Sequence, residues 1–264
     1  MSFFSAKNIT TGYDKSNVIE NISFELHGGS LMGILGANGS GKTTLLKAIC
    51  GILPHEGNCV LAGRSLESLS VRQIARLCSY IPQRSGIGID ISVLDVVLMG
   101  FNPQLGLLAH PTKSMRAAAQ QVLDAVGLAE KAHMNYLHLS EGQKQLCILA
   151  RTLVSGSKLL LLDEPESALD FRYRYQTLDL LRHWVKENQG SAIVTLHDPA
   201  LALNYCETLL LLSKGNILGM IHPFTDSPES MEKLLSEIYG AISLQYVVAK
   251  NGRRQLIMVN EGVI

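Results

Sequence analysis

The chain has 264 residues, enough for one large domain or two small ones, and 47% hydrophobic against 17% charged residues allows a sizeable buried core. Lys plus Arg and Asp plus Glu balance at 23 each, which lacks the basic bias of a general nucleic-acid surface. The five cysteines (Cys50, Cys59, Cys78, Cys147, Cys206) are odd in number, scattered and without a C-x-x-C pair, so they read as free thiols of a reducing cytoplasm. The N-terminal stretch has neither the basic nor the long apolar region of a signal peptide, and the apolar runs at 159–162 and 209–212 are far too short to cross a bilayer.

Residues 2–10 and 18–27 read as strands, the second with Ile22, Phe24 and Leu26 alternating before Gly28-Gly29. Between them, after Thr11-Gly12, stands Tyr13; its ring could stack on a base, although ordinary packing is the plainer reading of these residues alone. The apolar run 31–35 predicts a buried strand, and 43–50 predicts a helix with Leu45, Leu46 and Ile49 on one side. Between the two lies Gly36-Ala37-Asn38-Gly39-Ser40-Gly41-Lys42-Thr43-Thr44, which fits the phosphate-loop pattern G-x-x-x-x-G-K-[ST]. A glycine-rich turn could match by chance. The strand before and the helix after make the phosphate reading the stronger one, because they aim backbone N–H groups and a helix N-terminus at one point. Gly36, Gly39 and Gly41 then allow close backbone approach. Lys42 reaches the β- and γ-phosphates, and the Thr43 hydroxyl ligates Mg²⁺.

Further along, 56–62 reads as a strand, 70–77 as a short helix and 78–81 as a strand ending at Pro82-Gln83. Composition shifts over 85–111, which holds Gly86, Gly88, Gly100 and Gly106 and a helix at 93–99. A helix over 112–126 stops at Gly127, and Ser140 caps another that runs to about Val154. About 90–155 is therefore a helical insert in a chain that otherwise alternates strand and helix. The buried strand 158–162 ends in Asp163-Glu164-Pro165, 172–187 is a long helix, and the strand 191–196 ends at His197-Asp198-Pro199. Lys214-Gly215-Asn216 joins two strands as a hairpin, 228–239 is helical, and 242–249 and 254–259 are strands around Asn251-Gly252. This alternation argues for an α/β fold with a largely parallel sheet. A phosphate-loop enzyme needs an acidic residue for magnesium at the end of a neighbouring buried strand. Asp163 takes that part, and Glu164 can polarise the attacking water as general base. A simple strand-to-turn junction is the competing reading of Asp-Glu-Pro.

Leu139-Ser140-Glu141-Gly142-Gln143 resembles the L-S-G-G-Q signature of ABC (ATP-binding cassette) ATPases. The family's other elements follow in order over about residues 5 to 220. Tyr13 resembles the aromatic that stacks on adenine, which overrides the packing reading. Gln83 resembles the glutamine-loop residue that contacts Mg²⁺ and attacking water and senses a transmembrane partner. Ser167-Ala168-Leu169-Asp170 resembles the D-loop, and His197 the switch histidine at the γ-phosphate.

The resemblance implies a P-loop NTPase fold with a RecA-like core, an antiparallel β subdomain and a helical insert. It also implies a single ATP-binding domain over 1–264, with a helical subdomain at about 90–155 and a short C-terminal extension at about 222–264. ATP would be held by Tyr13, Gly36, Asn38, Gly39, Ser40, Gly41, Lys42, Thr43 and Thr44. Thr43, Gln83 and Asp163 would hold Mg²⁺. Glu164, His197, Gln83 and Lys42 would carry catalysis. A second copy would bring Ser140, Glu141, Gly142, Gln143 and the D-loop Asp170 to the ATP in a head-to-tail homodimer.

Two residues depart from the family pattern. Glu141 replaces the first signature glycine and should repel a triphosphate unless it points away. Glu166 stands where many relatives carry threonine, with no catalytic reason evident.

A single cassette with no membrane span, and a segment between Lys42 and Ser140 too short for coiled-coil arms, favours the ATPase subunit of a membrane importer. It would sit peripherally on the cytoplasmic face, with separate permease subunits, an indirect substrate-binding protein and no nucleic acid. Val97-Leu98-Met99-Gly100-Phe101-Asn102-Pro103 followed by Leu105-Gly106-Leu107 resembles the iron-siderophore, haem and cobalamin group, although Phe101 replaces its usual arginine, and so does His197-Asp198-Pro199 with Leu203-Asn204-Tyr205. Zinc or manganese uptake is the next cargo. A soluble ABC ATPase acting on nucleic acid or the ribosome, or a scaffold without turnover, are the other classes.

Overall fold

The computed structural model describes residues 2–14, 16–83, 86–106, 108–167 and 169–262; Ser85, Leu107 and Ala168, used in the sequence reading, lie outside them. The chain opens with a hairpin of β1 (Phe4–Tyr13) and β2 (Ser16–Leu26). Ile22, Phe24 and Leu26 are buried in alternation, so one face of the hairpin is core. The register slips between the pairs Ile9–Ile22 and Thr11–Ile19, a bulge at which Asn21 takes φ +52°. Tyr13 pairs with Ser16, so it ends a strand rather than sitting in a free turn.

The glycine loop leads from β3 (Leu31–Leu35) into α1 (Lys42–Ile49). β4 (Glu56–Leu61) and the short β5 (Arg64–Ser65) join the hairpin in a four-stranded antiparallel sheet of order β2-β1-β4-β5. Next come α2 (Val71–Leu77), closed by a capping box between Ser70 and Gln73, and β6 (Cys78–Ile81). The predicted insert holds α3 (Val93–Leu98), α4 (Lys113–Ala125) and α5 (Glu141–Leu153), N-capped by Ser92, Thr112 and Ser140. The remaining elements are β7 (Leu159–Asp163), α6 (Phe171–Asn188), β8 (Ser191–Thr195), α7 (Pro199–Tyr205), β9 (Thr208–Ser213), β10 (Asn216–Ile221), α8 (Pro228–Tyr239), β11 (Ile242–Val248) and β12 (Arg254–Asn260).

The sequence reading has no helix over α7. Asp198 caps it, accepting from the N–H groups of Ala200 and Leu201, and Pro199 opens its first turn. The β11–β12 hairpin is tied back by Asn204 of α7, which exchanges hydrogen bonds with the backbone of Leu256.

The central sheet is six-stranded, of order β10-β9-β3-β8-β7-β6, parallel except for β10. The inner strands β3, β7, β8 and β9 are buried on both faces, which is why they read as nearly continuous apolar runs. Within them the alternation of period two divides the side chains. Leu160, Leu162, Leu209 and Leu211 face a core shared with the helices α3 to α8. Leu159, Leu161, Leu210 and Leu212 face a second core shared with α1 and the antiparallel sheet. Phe101 belongs to the first core, and a side chain at Gly100 would strike the Arg151 carbonyl of α5 at 2.1 Å. The sequence 97–101 is therefore a tightly packed turn under α5.

All five cysteines are free and buried, as the sequence led us to expect. Among the described residues no helix is long and apolar enough to cross a membrane.

Candidate nucleotide site

Parallel strands bring their carboxyl ends to one edge of the sheet. Here Ile34 pairs with Thr195, Thr195 with Asp163, and Leu162 with Ile81. The residues that follow β3, β6, β7 and β8, which are the glycine loop, Gln83, Glu164 and His197, thus meet although they are far apart in the chain.

The loop itself depends on glycine at two points. A Cβ at Gly36 would lie 2.4 Å from the Leu212 carbonyl and 2.5 Å from Ser40 Oγ. Gly41 has φ +102°, and a Cβ there would be 2.5 Å from Ile19 Cγ2. Lys42 Nζ donates to the carbonyls of Gly36 at 2.8 Å and Ala37 at 3.2 Å. Burial lowers the Lys42 pKa, and the charges of Glu164 and Asp163 pull it back up.

Over the loop opens a cleft of about 340 Å³. Asn38, Gly39, Ser40, Gly41, Lys42, Thr43 and Thr44 form its floor, and Val18, Gln83, Glu164 and His197 its walls. The acidic pair sits at the far wall. Thr195 Oγ1 donates to Asp163 Oδ1 at 2.8 Å and accepts the Glu164 N–H at 2.8 Å. The Tyr80 hydroxyl reaches Asp163 Oδ2 at 3.4 Å, and its pKa is raised, chiefly by burial. Glu164 stands at φ +50°, a conformation costly for a residue with a Cβ, and its carbonyl accepts from the Ser167 hydroxyl at 3.0 Å. Its carboxylate is gripped on both oxygens: His197 Nε2 lies 2.6 Å from Oε1, and Gln83 Nε2 donates to Oε2.

Glu166, for which the sequence offers no role, is 2% exposed and accepts the His197 backbone N–H on Oε1 at 3.0 Å. Burial pushes its carboxyl pKa up, and the His197 N–H and ring oppose that rise.

Of the other predicted site residues, Gly36 lies beneath the loop, and Asp163 is buried behind the wall. Tyr13 does not line the cleft; it stands on the hairpin edge, 46% exposed and close enough to Tyr80 to act on it electrostatically. Ser140, Glu141, Gly142 and Gln143 open α5, and Asp170 precedes α6; none of them lines this cleft. Ser140 and Gln143 form a reciprocal capping box, with the Gln143 N–H to Ser140 Oγ at 3.3 Å and the Ser140 N–H to Gln143 Oε1 at 3.1 Å. The Glu141 carboxylate is turned along the helix to Lys144 Nζ at 2.7 Å. Val18, Tyr80, Thr195 and Glu166 escape the sequence reading as site residues. Thr195 alone carries a signal, as a hydroxyl closing the apolar run Ala192-Ile193-Val194.

Residues 19–167 match the family model described as ABC transporter. The chain is 34% identical over 246 residues to a hemin import ATP-binding protein of Vibrio parahaemolyticus, covering 91% of this chain and 92% of that one. It is 34% identical over 212 residues to an uncharacterized ABC transporter ATP-binding protein of Bacillus subtilis, covering 80% of this chain but only 48% of that longer protein. A solved structure classed as a metal-chelate type ABC transporter in an inward-facing conformation superposes with TM-score 0.82 at 27% identity, covering 99% of each chain. The glycine loop, the acidic pair on the next strand but one and these likenesses agree: the chain belongs to the ABC transporter family, as an ATP-binding component that hydrolyses ATP.

Proposed function

We propose that this chain is the ATPase subunit of an importer for iron chelates, haem or a corrinoid, seated on the cytoplasmic face of the membrane against a separate permease. The observation that carries its chemistry is the Glu164 carboxylate, held by Gln83 and His197 at the wall of the cleft. Glu164 takes a proton from the attacking water. Gln83 and His197 keep that carboxylate from rotating away, so its basic oxygen is already aimed. Lys42 and the loop N–H groups receive the phosphates, with Asn38, Gly39, Ser40, Gly41 and Thr44 shaping the seat. The hydroxyl of Thr43, the carboxylate of Asp163 and the amide oxygen of Gln83 are an all-oxygen donor set, which suits Mg²⁺. When bound, Mg²⁺ supplies charge neutralisation on the β- and γ-phosphates.

At the start of α5 Ser140 and Glu141 are exposed and Gly142 and Gln143 half-buried, all of them outside their own cleft. This supports a head-to-tail homodimer in which Ser140 and Gly142 of one copy face the γ-phosphate held by the other. Glu141, neutralised by Lys144, adds little repulsion there. Asp170 belongs to the same dimer face, and Tyr13 reaches adenine from the hairpin edge. The helical segment at about 90–155 docks on the permease, whose partner is the substrate-binding protein; nucleic acid has no part. The cargo class rests on the hemin-import relative and the metal-chelate neighbour.

Purification of the tagged chain from detergent-solubilised host membranes tests this reading. A polytopic permease should co-purify, and its own sequence should place it with iron-chelate, haem or corrinoid uptake. A permease of zinc or manganese type would change the cargo. Recovery with ribosomes or nucleic acid, and nothing from the membrane, would overturn the importer.

A further inference from the structure

Where the antiparallel sheet meets the end of α1, three side chains with metal-binding donors converge. His55 precedes β4, Cys59 lies within it, and Glu67 follows β5 in a short 3-10 turn. The β4–β5 reversal, paired through Val60–Ser65 and Leu61–Arg64, carries Glu67 back beside Cys59. His55 Nε2 is 3.3 Å from Glu67 Oε1 and 3.9 Å from Cys59 Sγ, and the three ligand atoms all lie within 4.8 Å of one another. Tetrahedral zinc, with bonds of roughly 2.0–2.3 Å, sets its ligand atoms about 3.2–3.6 Å apart. Small side-chain shifts therefore close the set around one ion.

The supporting contacts are already in place. His55 Nδ1 is 3.3 Å from the Leu53 carbonyl, which can only accept, so Nδ1 is a donor and Nε2, which faces the cluster, is the ring nitrogen left to ligate an ion in place of a proton. Glu67 Oε2 accepts from the Ser65 hydroxyl at 2.7 Å and Oε1 from the Cys59 N–H at 2.6 Å, which fixes the carboxylate rotamer. His55 and Glu67 line a cleft of about 350 Å³, and the fully buried Cys59 lies behind them with Sγ 3.9 Å from His55 Nε2, so an ion could enter at His55 and Glu67 and reach the thiol. A plain His–Glu ion pair would not need the sulfur at this distance.

We propose that His55, Cys59 and Glu67 bind one zinc-class divalent cation, with water in the fourth position. Nitrogen, thiolate and carboxylate donors suit Zn²⁺, Co²⁺ or Cd²⁺ and exclude Mg²⁺ and Ca²⁺ as occupants, since only the former compete for a buried sulfur. The ion would staple the segment leaving α1 to the antiparallel sheet.

The test is titration of the purified full chain with Co²⁺ in metal-free buffer. One equivalent should produce a near-ultraviolet thiolate-to-cobalt band and the intense visible bands of tetrahedral cobalt. Both should vanish in Cys59→Ser, and His55→Ala, which leaves the buried sulfur in place, should weaken binding at least about tenfold. Zn²⁺ at about 100 times its Kd should raise the Tm of the wild type by roughly 5 °C or more and that of His55→Ala by about half as much or less. A wild type without the thiolate band, a band that persists in Cys59→Ser, or an affinity unchanged in His55→Ala would overturn the site; none of these results bears on ATP hydrolysis or on the importer.

Discussion

Glu164 and Glu166 are two carboxylates on one turn with opposite surroundings. Glu164 opens onto the cleft and is gripped by two donors, whereas Glu166 faces inward and holds the backbone of His197. Glu164→Gln keeps the shape and removes the base, so ATP turnover should drop by about 10²–10⁴-fold while nucleotide binding persists. It should also trap an ATP-bound dimer, visible by size exclusion. Turnover at the wild-type rate would remove Glu164 from the role of base.

Glu166 makes a different prediction. Its pKa is raised in the fold, so ionisation is disfavoured there relative to the unfolded chain. Its contribution to stability is full below the unfolded carboxyl value of about 4.3 and is lost as pH rises through the folded value. Glu166→Gln retains an acceptor for the His197 N–H and cannot ionise. Thermal unfolding should therefore show the variant gaining on the wild type at neutral pH, with the gain fading towards pH 4. A gap that does not change with pH would mean that the ionisation of Glu166 is not what matters there.

At the scale of elements, the cap of α5 has one task that is observed and one that is proposed. The capping box gives Ser140 a structural part within its own chain, and the proposed head-to-tail dimer would give it a second at the ATP of the other copy. Ser140→Ala should cost about 0.5–2 kcal/mol by urea unfolding. Introduced together with Glu164→Gln, it should also weaken the ATP-driven dimer. A loss of stability with the dimer unaffected would confine Ser140 to capping. The glycine loop carries a structural demand of its own: Gly36 and Gly41 are required by the crowding of Leu212, Ser40 and Ile19, beside the phosphate contact proposed for the loop.

At the scale of the whole molecule, the central sheet divides the interior in two, and its strands are read differently on each face. Leu161 is fully buried on the side of α1 and the antiparallel sheet. Leu161→Ala should cost about 2–5 kcal/mol in equilibrium denaturation, the range for a large side chain removed from a packed core. A value near zero would mean that this side of the sheet collapses around the loss. The same burial accounts for the thiols: it pushes Cys59 and Cys147 up to about 12 and Cys50 to about 11, which keeps them protonated near neutral pH in the absence of a bound metal.

The amino-acid sequence by itself determined what depends on near neighbours. The glycine loop, the helix cap at Ser140, the buried apolar runs and the Asp163-Glu164 end of β7 are all legible within a few residues, because φ, capping and alternation are local. The α/β class followed from their order. The tertiary structure alone decided how distant residues meet. The grip of Gln83 and His197 on Glu164, the anchoring of Asp163 by Thr195 and the support of His197 by Glu166 span 31 to 81 positions of chain. They exist because parallel pairing in the order β3-β8-β7-β6 sets four strand ends side by side. The convergence of His55, Cys59 and Glu67 hangs likewise on the β4–β5 reversal, and the division of four consecutive leucines between two cores on what covers each face of the sheet. Strand order and packing are long-range outcomes of burial, and no local pattern encodes them.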